Sequence, residues 1–183
     1  MTALASYDDR ALGVLREANW PDVSEQDFKT AVGSFPTGVV IVTGEDEDGP
    51  FGLTIQSFMS LSMVPRLVLI SVARTSATLP RIQRAGRFCV NLLDDTHSEL
   101  ALHFAKSARG VNKFDGINYS RKGTDGSPVF PGSLGWIECS VLRTHLEGDH
   151  VLLVGAVKEA AVSEEPTVRP LIFWRSSFVS VDP

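Results

Sequence analysis

The chain has 183 residues, 43% of them hydrophobic and 21% charged, with a formal net charge of −5. That length supports one domain with a substantial core, and the mild acidity argues against non-specific nucleic-acid binding. No apolar run approaches the ~20 residues that cross a bilayer as a helix. Met1 to Arg10 is polar and acidic, without the basic-then-apolar order of a secretion signal, so a cytoplasmic location and no membrane association are expected.

In chain order, Ala3 to Trp20 reads as a short helix ended by Pro21, and residues 1–23 as an N-terminal extension to a domain spanning 24–183. Ser24, three residues before Asp27, is an imperfect capping box for a helix from Glu25 to about Ser34. That helix aligns Phe28, Ala31, Val32 and Phe35 on one face. The β-branched run Val39 to Thr43 and the run Phe51 to Ser57 read as a hairpin with a longer loop through the acidic turn Glu45 to Gly49. Leu67 to Val72, apolar throughout, reads as a central strand. Thr78 caps a short helix that carries Pro80 in its first turn and ends at Gly86. Phe88 to Leu93 is a further strand, and Thr96 with Glu99 forms a capping box for a helix through Ala105. Ala108 to Phe130 is rich in glycine and reads as loop. The strands Leu134 to Leu146, His150 to Ala160 and Leu171 to Trp174 close the chain. Six or more strands interleave irregularly with three helices, which excludes a steady βαβ rhythm and favours a closed or partly closed antiparallel barrel with peripheral helices.

Several chemistries lack their signature. No G-x-G-x-x-G follows the first strand, and no G-x-x-x-x-G-K-S/T or G-x-S-x-G occurs. His97, His103, His145 and His150 form no zinc-binding helix, and Cys89 and Cys139 lie inside apolar runs as buried thiols without partners at zinc spacing, so no metal is expected.

Three stretches remain. Gly148-Asp149-His150 falls at a turn between the two long strands. The block Thr54 to Ser62 is dense in short hydroxyls and an amide: Thr54 and Gln56 share one strand face, and a bend near Ser57-Phe58 brings Ser57 round to join them. Such residues suit the hydrogen-bonding edge of a planar ring such as a flavin, or simply the wet face of an amphipathic strand. Arg74 to Thr78 precedes a helix, where free N–H groups, hydroxyls and the guanidinium attract an anion or merely cap the helix. Lys113-Phe114 offers a cation and an aromatic lid, or a surface lysine beside an anchoring ring.

Phe35-Pro36-Thr37-Gly38-Val39, Gly52 to Ser62, Gly86 to Leu93, Lys113-Phe114, Trp136 to Cys139 and Gly148-Asp149-His150 occur in that order. On these motifs the chain resembles the short-chain flavin reductases of the split-barrel FMN-binding type, the reductase components of two-component flavin-dependent monooxygenases. The resemblance runs from about Phe28 to Phe178 and implies a mainly β, homodimeric split barrel. It implies FMN or FAD held along Gly52, Leu53, Thr54, Gln56 and Ser57, with the ribityl-phosphate on Ser71, Val72, Ala73, Arg74, Ser76, Ala77 and Thr78. His103-Phe104 matches a flavin-contacting pair that is often Arg-Phe, and Asn91 matches an asparagine near the flavin or serves as a buried amide. Gly148, Asp149, His150 and Val151 match the nicotinamide side, with His150 as the catalytic candidate.

The implied activity is NAD(P)H:flavin oxidoreduction by direct hydride transfer, supplying reduced flavin to a partner monooxygenase. Choice between FMN and FAD stays open. The scatter of Arg143, Lys158 and Arg169 tilts toward NADH over NADPH, because a 2′-phosphate wants a basic cluster. The rival is a non-catalytic flavin-binding split barrel. A pyridoxamine-phosphate-oxidase-like enzyme needs a denser basic pocket than Arg74, Arg81 and Lys113 provide.

Overall fold

The computed structural model describes residues 23–106, 112–164 and 169–181. The predicted helix from Ala3 to Trp20 lies outside them, as do Ala108 to Val111 of the glycine-rich stretch. Among the described residues no helix is long and apolar enough to cross a membrane.

The frame is one seven-stranded antiparallel sheet. Its strands are β2 (Val40–Asp46), β3 (Gly49–Ile55), β4 (Phe58–Met63), β5 (Arg66–Ala73), β6 (Arg87–Leu92), β9 (Gly135–Glu147) and β10 (His150–Val162), in the order β3-β2-β6-β9-β10-β5-β4. The two edge strands, β3 and β4, are consecutive in the chain and separated only by Gln56-Ser57. The sheet therefore curls until its edges adjoin at one corner but do not pair, which is a split barrel rather than a closed one.

The bend falls at Gln56-Ser57, beside the predicted position. The strand at Phe58 is new: the hydroxyl-rich block divides between β3 and β4. The hairpin β2–β3 turns on two residues, Glu47-Asp48, with Asp46 opposite Gly49, so the strands run through the acidic stretch that reads as loop in the sequence. β5 stands sixth of seven, not central. Val68, Ile70 and Val72 face the core, while Leu67, Leu69 and Ser71 on the other face are half-buried. Partial cover on both faces, not a central place, makes the run apolar.

Two cores result. Val42, Ile70, Val72, Ile82, Phe88, Val90 and Leu153 fill the barrel. Ile41, Leu93, Ala101, Phe104, Phe114 and Phe130 pack between the sheet and α3 (Ser98–Ala105). The glycine-rich stretch contains a short hairpin, β7 (Ser120–Lys122) and β8 (Ser127–Val129). It is fastened by Glu138, fully buried, which accepts from the Ser127 hydroxyl at 2.7 Å and the Asp125 amide at 3.2 Å. Cys89 and Cys139 are free and buried, and burial is the main reason both thiols titrate well above their ordinary range, Cys139 at about 12.

The helix ends show where local chemistry differs from the sequence reading. The Ser24 hydroxyl accepts the Asp27 amide at 3.0 Å and so caps α1 (Glu25–Gly33) as predicted. The apolar face of α1 is nevertheless open, with Phe28 63%, Val32 52% and Phe35 71% exposed. A three-stranded sheet of β1 (Thr37–Gly38), β11 (Ile172–Trp174) and the unforeseen β12 (Ser177–Val179) holds α1, through Trp174 Nε1 donating to Ser34 O at 3.0 Å and Arg175 N donating to Gly33 O at 2.9 Å.

Thr78 stands before α2 (Leu79–Ala85) without a side-chain cap bond; its hydroxyl reaches the Gly52 carbonyl at 3.4 Å. The Thr96–Glu99 box is replaced by one two residues earlier, Asp94–His97. Asp94 Oδ1 accepts both the Thr96 amide (2.9 Å) and the Thr96 hydroxyl (2.7 Å), while His97 Nδ1 accepts the Asp94 amide at 3.2 Å. The carboxylate is the stronger acceptor, and it draws Thr96 away from capping.

The acidic turn is pinned to α2. Asp46, its side chain only 2% exposed, accepts from Arg81 Nη2 and Arg84 Nη2 at 2.5 Å each. The Arg81 hydrogen bond leads, and with Arg84 outweighs burial to hold the carboxyl at about 2. A depressed carboxyl contributes stability above its unfolded value near ~3.9 and loses it as pH falls through the folded value, here worth about 2 kcal/mol. Asp46→Asn is expected to lose at least that much at neutral pH and to flatten the stability profile between about pH 5 and pH 2. Urea unfolding across that range reads both effects.

Candidate functional site

At the unpaired corner a cleft of about 630 Å³ opens. β3 and the bend contribute Leu53, Thr54, Gln56 and Ser57. The end of β5 gives Ser71, Val72 and Ala73, and the following loop gives Thr75, Ser76, Ala77 and Thr78. Phe104, Lys113 and His150 complete the predicted lining. A second cleft of about 660 Å³ continues past Thr75 to Thr78 and Lys113, and is lined also by Gly52, Arg74 and Phe114.

The polar atoms along the first cleft are already partly committed, which sets their remaining capacity. Thr54 Oγ1 donates to Ala101 O at 2.7 Å, so it faces a ligand as an acceptor. Gln56 Oε1 accepts the Thr37 hydroxyl at 3.2 Å, leaving the amide nitrogen to donate. Ser57 Oγ donates to Ser71 O at 2.6 Å and accepts Ser71 N at 3.3 Å, tying the bend to β5.

Gly52 has a packing duty. A Cβ there would lie 2.8 Å from the Phe104 ring. Phe104 in turn meets Phe114 and Phe130 with ring centres 5.1 and 5.2 Å apart. Lys113 is no surface lysine: its ammonium donates to Phe104 O at 2.8 Å, and burial lowers its pKa.

His150 stands opposite Ala73 in the β10–β5 register, and Arg74 N donates to Asp149 O at 2.9 Å, so the tip of the long hairpin is bonded to the loop that lines both clefts. Gly148, the first of the two turn residues, has φ 59°, which favours glycine. His150 Nδ1 lies 2.7 Å from Asp149 Oδ1. The bond from His150 is the main cause that holds the Asp149 carboxyl below its ordinary range. An ionised Asp149 accepts, so Nδ1 carries a proton and Nε2 remains for a second partner.

Not every predicted residue reaches the clefts. Asn91 is fully buried and donates to Ile41 O (3.2 Å) and Thr43 Oγ1 (3.0 Å) while accepting Phe130 N (3.1 Å), a core amide that joins strands. His103 Nε2 lies 2.8 Å from Lys113 O, on a separate recess with Leu100 and Ile117. Val151 faces the core, while Gly148 and Asp149 form the turn behind His150. Conversely, Leu102, Phe173 and Phe178 line the first cleft without any local signal, because they arrive from α3 and the terminal hairpin, and Val39 joins them from the link between β1 and β2. Thr75 sits inside the stretch the sequence already marks.

A split barrel with a cleft at its corner, hydroxyls and an amide along one edge and Leu53, Phe173 and Phe178 as apolar walls, defines a binder of a planar heterocycle. The adjoining cleft, with Arg74 and Lys113, suits a charged tail. The donor set therefore fits a flavin nucleotide. Residues 32–182 match the flavin reductase like domain family, and the chain belongs to it. It is 36% identical to the flavin-dependent monooxygenase reductase subunit HsaB of Mycobacterium tuberculosis over 88% of this chain and 84% of that protein. It is 32% identical to an NADH-dependent flavin reductase of a Rhodococcus species, covering 88% and 89%. The solved NADH:FAD oxidoreductase SgcE6 of Streptomyces globisporus C-1027 superposes with a TM-score of 0.81 at 30% identity, over 91% of this chain and 99% of that one.

Gly52→Ala is expected to push Phe104 off its seat, cost about 1–3 kcal/mol and weaken ligand binding in the cleft. A thermal melt together with flavin titration checks this; an unchanged melting temperature would show that the contact yields freely.

Proposed function

We propose that this protein is an NADH-dependent flavin reductase that delivers reduced flavin to a separate flavin-dependent monooxygenase. The observation that carries the reading is the placement of His150 on the same cleft as Thr54, Gln56 and Ser57, although nearly a hundred residues of sequence lie between them. The chemistry a bound flavin supplies is hydride uptake at N5 directly from nicotinamide C4.

The chain's own part is positioning. Gln56 donates to and Thr54 accepts from the ring edge, while Leu53, Phe173 and Phe178 keep water from its faces. Arg74 and the Ser76-to-Thr78 hydroxyls meet the phosphate end. His150, oriented by the Asp149 bond, would offer Nε2 to the nicotinamide amide and so help to hold the second ring against the first. A polypeptide nucleophile has no role, in keeping with the inert buried thiols. NADH is preferred because Arg143, Lys158 and Arg169 do not cluster. HsaB is named as a reductase subunit of a monooxygenase, which supports the partner.

Purified protein with FMN or FAD is expected to consume NADH, seen as loss of its absorbance. His150→Ala is expected to lower kcat/KM for NADH by about tenfold or more while flavin still binds. Flavin binding without turnover in the native protein would favour the non-catalytic flavin binder instead.

We also propose a homodimer. Besides the α1 face, Met59, Leu61, Met63 and Val64 are exposed on and beside the edge strand β4. Contiguous apolar surface of this kind marks association. Light scattering at micromolar concentration should give twice the 19.9 kDa chain mass; a monomer would refute the assignment.

A further inference from the structure

The resemblance places His103 on the flavin, and the fold turns it away. Its side chain lies on the recess with Leu100 and Ile117, which Glu99 and Lys106 also line, and neither large cleft includes it. The ring has another partner. Nε2 lies 2.8 Å from Lys113 O, and a carbonyl only accepts, so Nε2 carries a proton and donates. A return bond runs beside it: the Lys113 ammonium donates to Phe104 O at 2.8 Å. A side chain of α3 thus grips the backbone of Lys113, while the side chain of Lys113 grips the backbone of α3.

Phe104 O belongs to the last turn of α3, where carbonyls lack partners within the helix and a cation is favoured. The turn that carries Lys113 is braced within itself, because Asn112 Oδ1 accepts Phe114 N at 3.1 Å and Asn112 Nδ2 donates to Asp115 Oδ1 at 2.7 Å. Without the His103 bond, Lys113 would hold α3 only through a long side chain with many rotamers to regain.

Lys113 is half-buried and lines both clefts. An ammonium has three donors, and Phe104 O takes one, which leaves two N–H groups and the charge for a ligand. The other charged groups on the second cleft are Arg74, Arg81 and Asp48. Arg81 is held by Asp46 and Asp48 by Arg84, and among the described residues Lys113 has no counter-ion. A cation placed this way acts on an anion only where its backbone puts it.

We infer that His103 is a positioning residue: it holds the Lys113 backbone against α3 and so fixes the ammonium in the wall shared by the two clefts, toward the anionic end of the flavin. The inference rests on the flavin reductase reading for the identity of the ligand. The competing role is support alone, since the His103 ring also meets Phe104 edge-on with centres 5.3 Å apart.

Two measurements on the full-length protein separate these roles. The first needs no ligand. Burial lowers the Lys113 pKa, and its side-chain NMR signals are expected to show that value rising toward the ordinary lysine range in His103→Leu, as release from the wall rehydrates the charge. His103→Gln, whose amide can still donate to Lys113 O, is expected to keep the native value. The second compares FMN with riboflavin, which lacks the phosphate, by fluorescence quenching. His103→Leu is expected to weaken FMN roughly fivefold or more and to leave riboflavin unchanged, and His103→Gln to restore FMN. In a Lys113→Met background the His103→Leu change is expected to have no further effect. Should His103→Leu not fold, His103→Asn, polar but too short to reach, carries the same expectations. Equal weakening of both flavins, additive losses in the double variant, or an unmoved Lys113 titration each overturns the assignment. If the native protein binds neither flavin, the flavin reductase reading fails, and the Lys113 titration still decides whether His103 sets that lysine.

Discussion

The fold turns on a seam that does not close. β3 and β4 are the two edges of one sheet, yet only Gln56 and Ser57 separate them in the chain. A continuous strand cannot turn that corner and keep its ladder, so the bend leaves backbone groups to satisfy by other means. Ser57 meets part of this need: its hydroxyl and carbonyl both engage Ser71 on β5, the strand that pairs with β4. The same break opens the first cleft, because the side chains on either side of the bend line a space that strand pairing would otherwise have closed. Site and topology have one cause.

The floor of that space is held by packing. Phe104 occupies the volume a Gly52 side chain would need, and meets Phe114 edge-on and Phe130 at a tilt. Lys113, one residue before Phe114, then reaches back to the Phe104 carbonyl. α3 and the segment at 112–114 are therefore joined to β3 by contacts of both kinds, apolar and polar. A ligand in either cleft touches a wall whose position depends on the aromatic cluster.

The sequence revealed what short-range chemistry controls. The Ser24 cap, the helix ending at Gly86, the two long strands around Gly148-Asp149 and the hydroxyl-rich edge at Thr54 to Ser57 all follow from residues within a few positions of one another. What it concealed depends on distant partners. β5 reads as central because half-burial on its outer face mimics full burial. Asp94 takes the capping role from Thr96 because its carboxylate captures the Thr96 amide and hydroxyl, which ties up the group the predicted box needs, a competition that spacing alone does not rank. Asn91 reads equally as ligand or core amide, and only the arrival of Phe130 and Thr43 beside it decides for the core. Phe173 and Phe178 have no local mark at all, since the terminal hairpin reaches the cleft through pairing with the distant Thr37-Gly38.

Exposed surface completes the argument from the seam. An edge strand with outward Met59, Leu61 and Met63 offers both free backbone groups and apolar side chains, the combination most prone to pair with another chain. Natural edges of this sort are usually blunted by lysine, proline or a bulge, and β4 has a register shift between Ser60 and Ser62 against β5. That irregularity bends the strand but does not remove the apolar groups. In the proposed homodimer a second copy covers them, and because β4 begins immediately after Ser57, that cover lies beside the mouth of the cleft. Association and ligand binding would then share a boundary, with the bend at Gln56-Ser57 as their common hinge point in the chain.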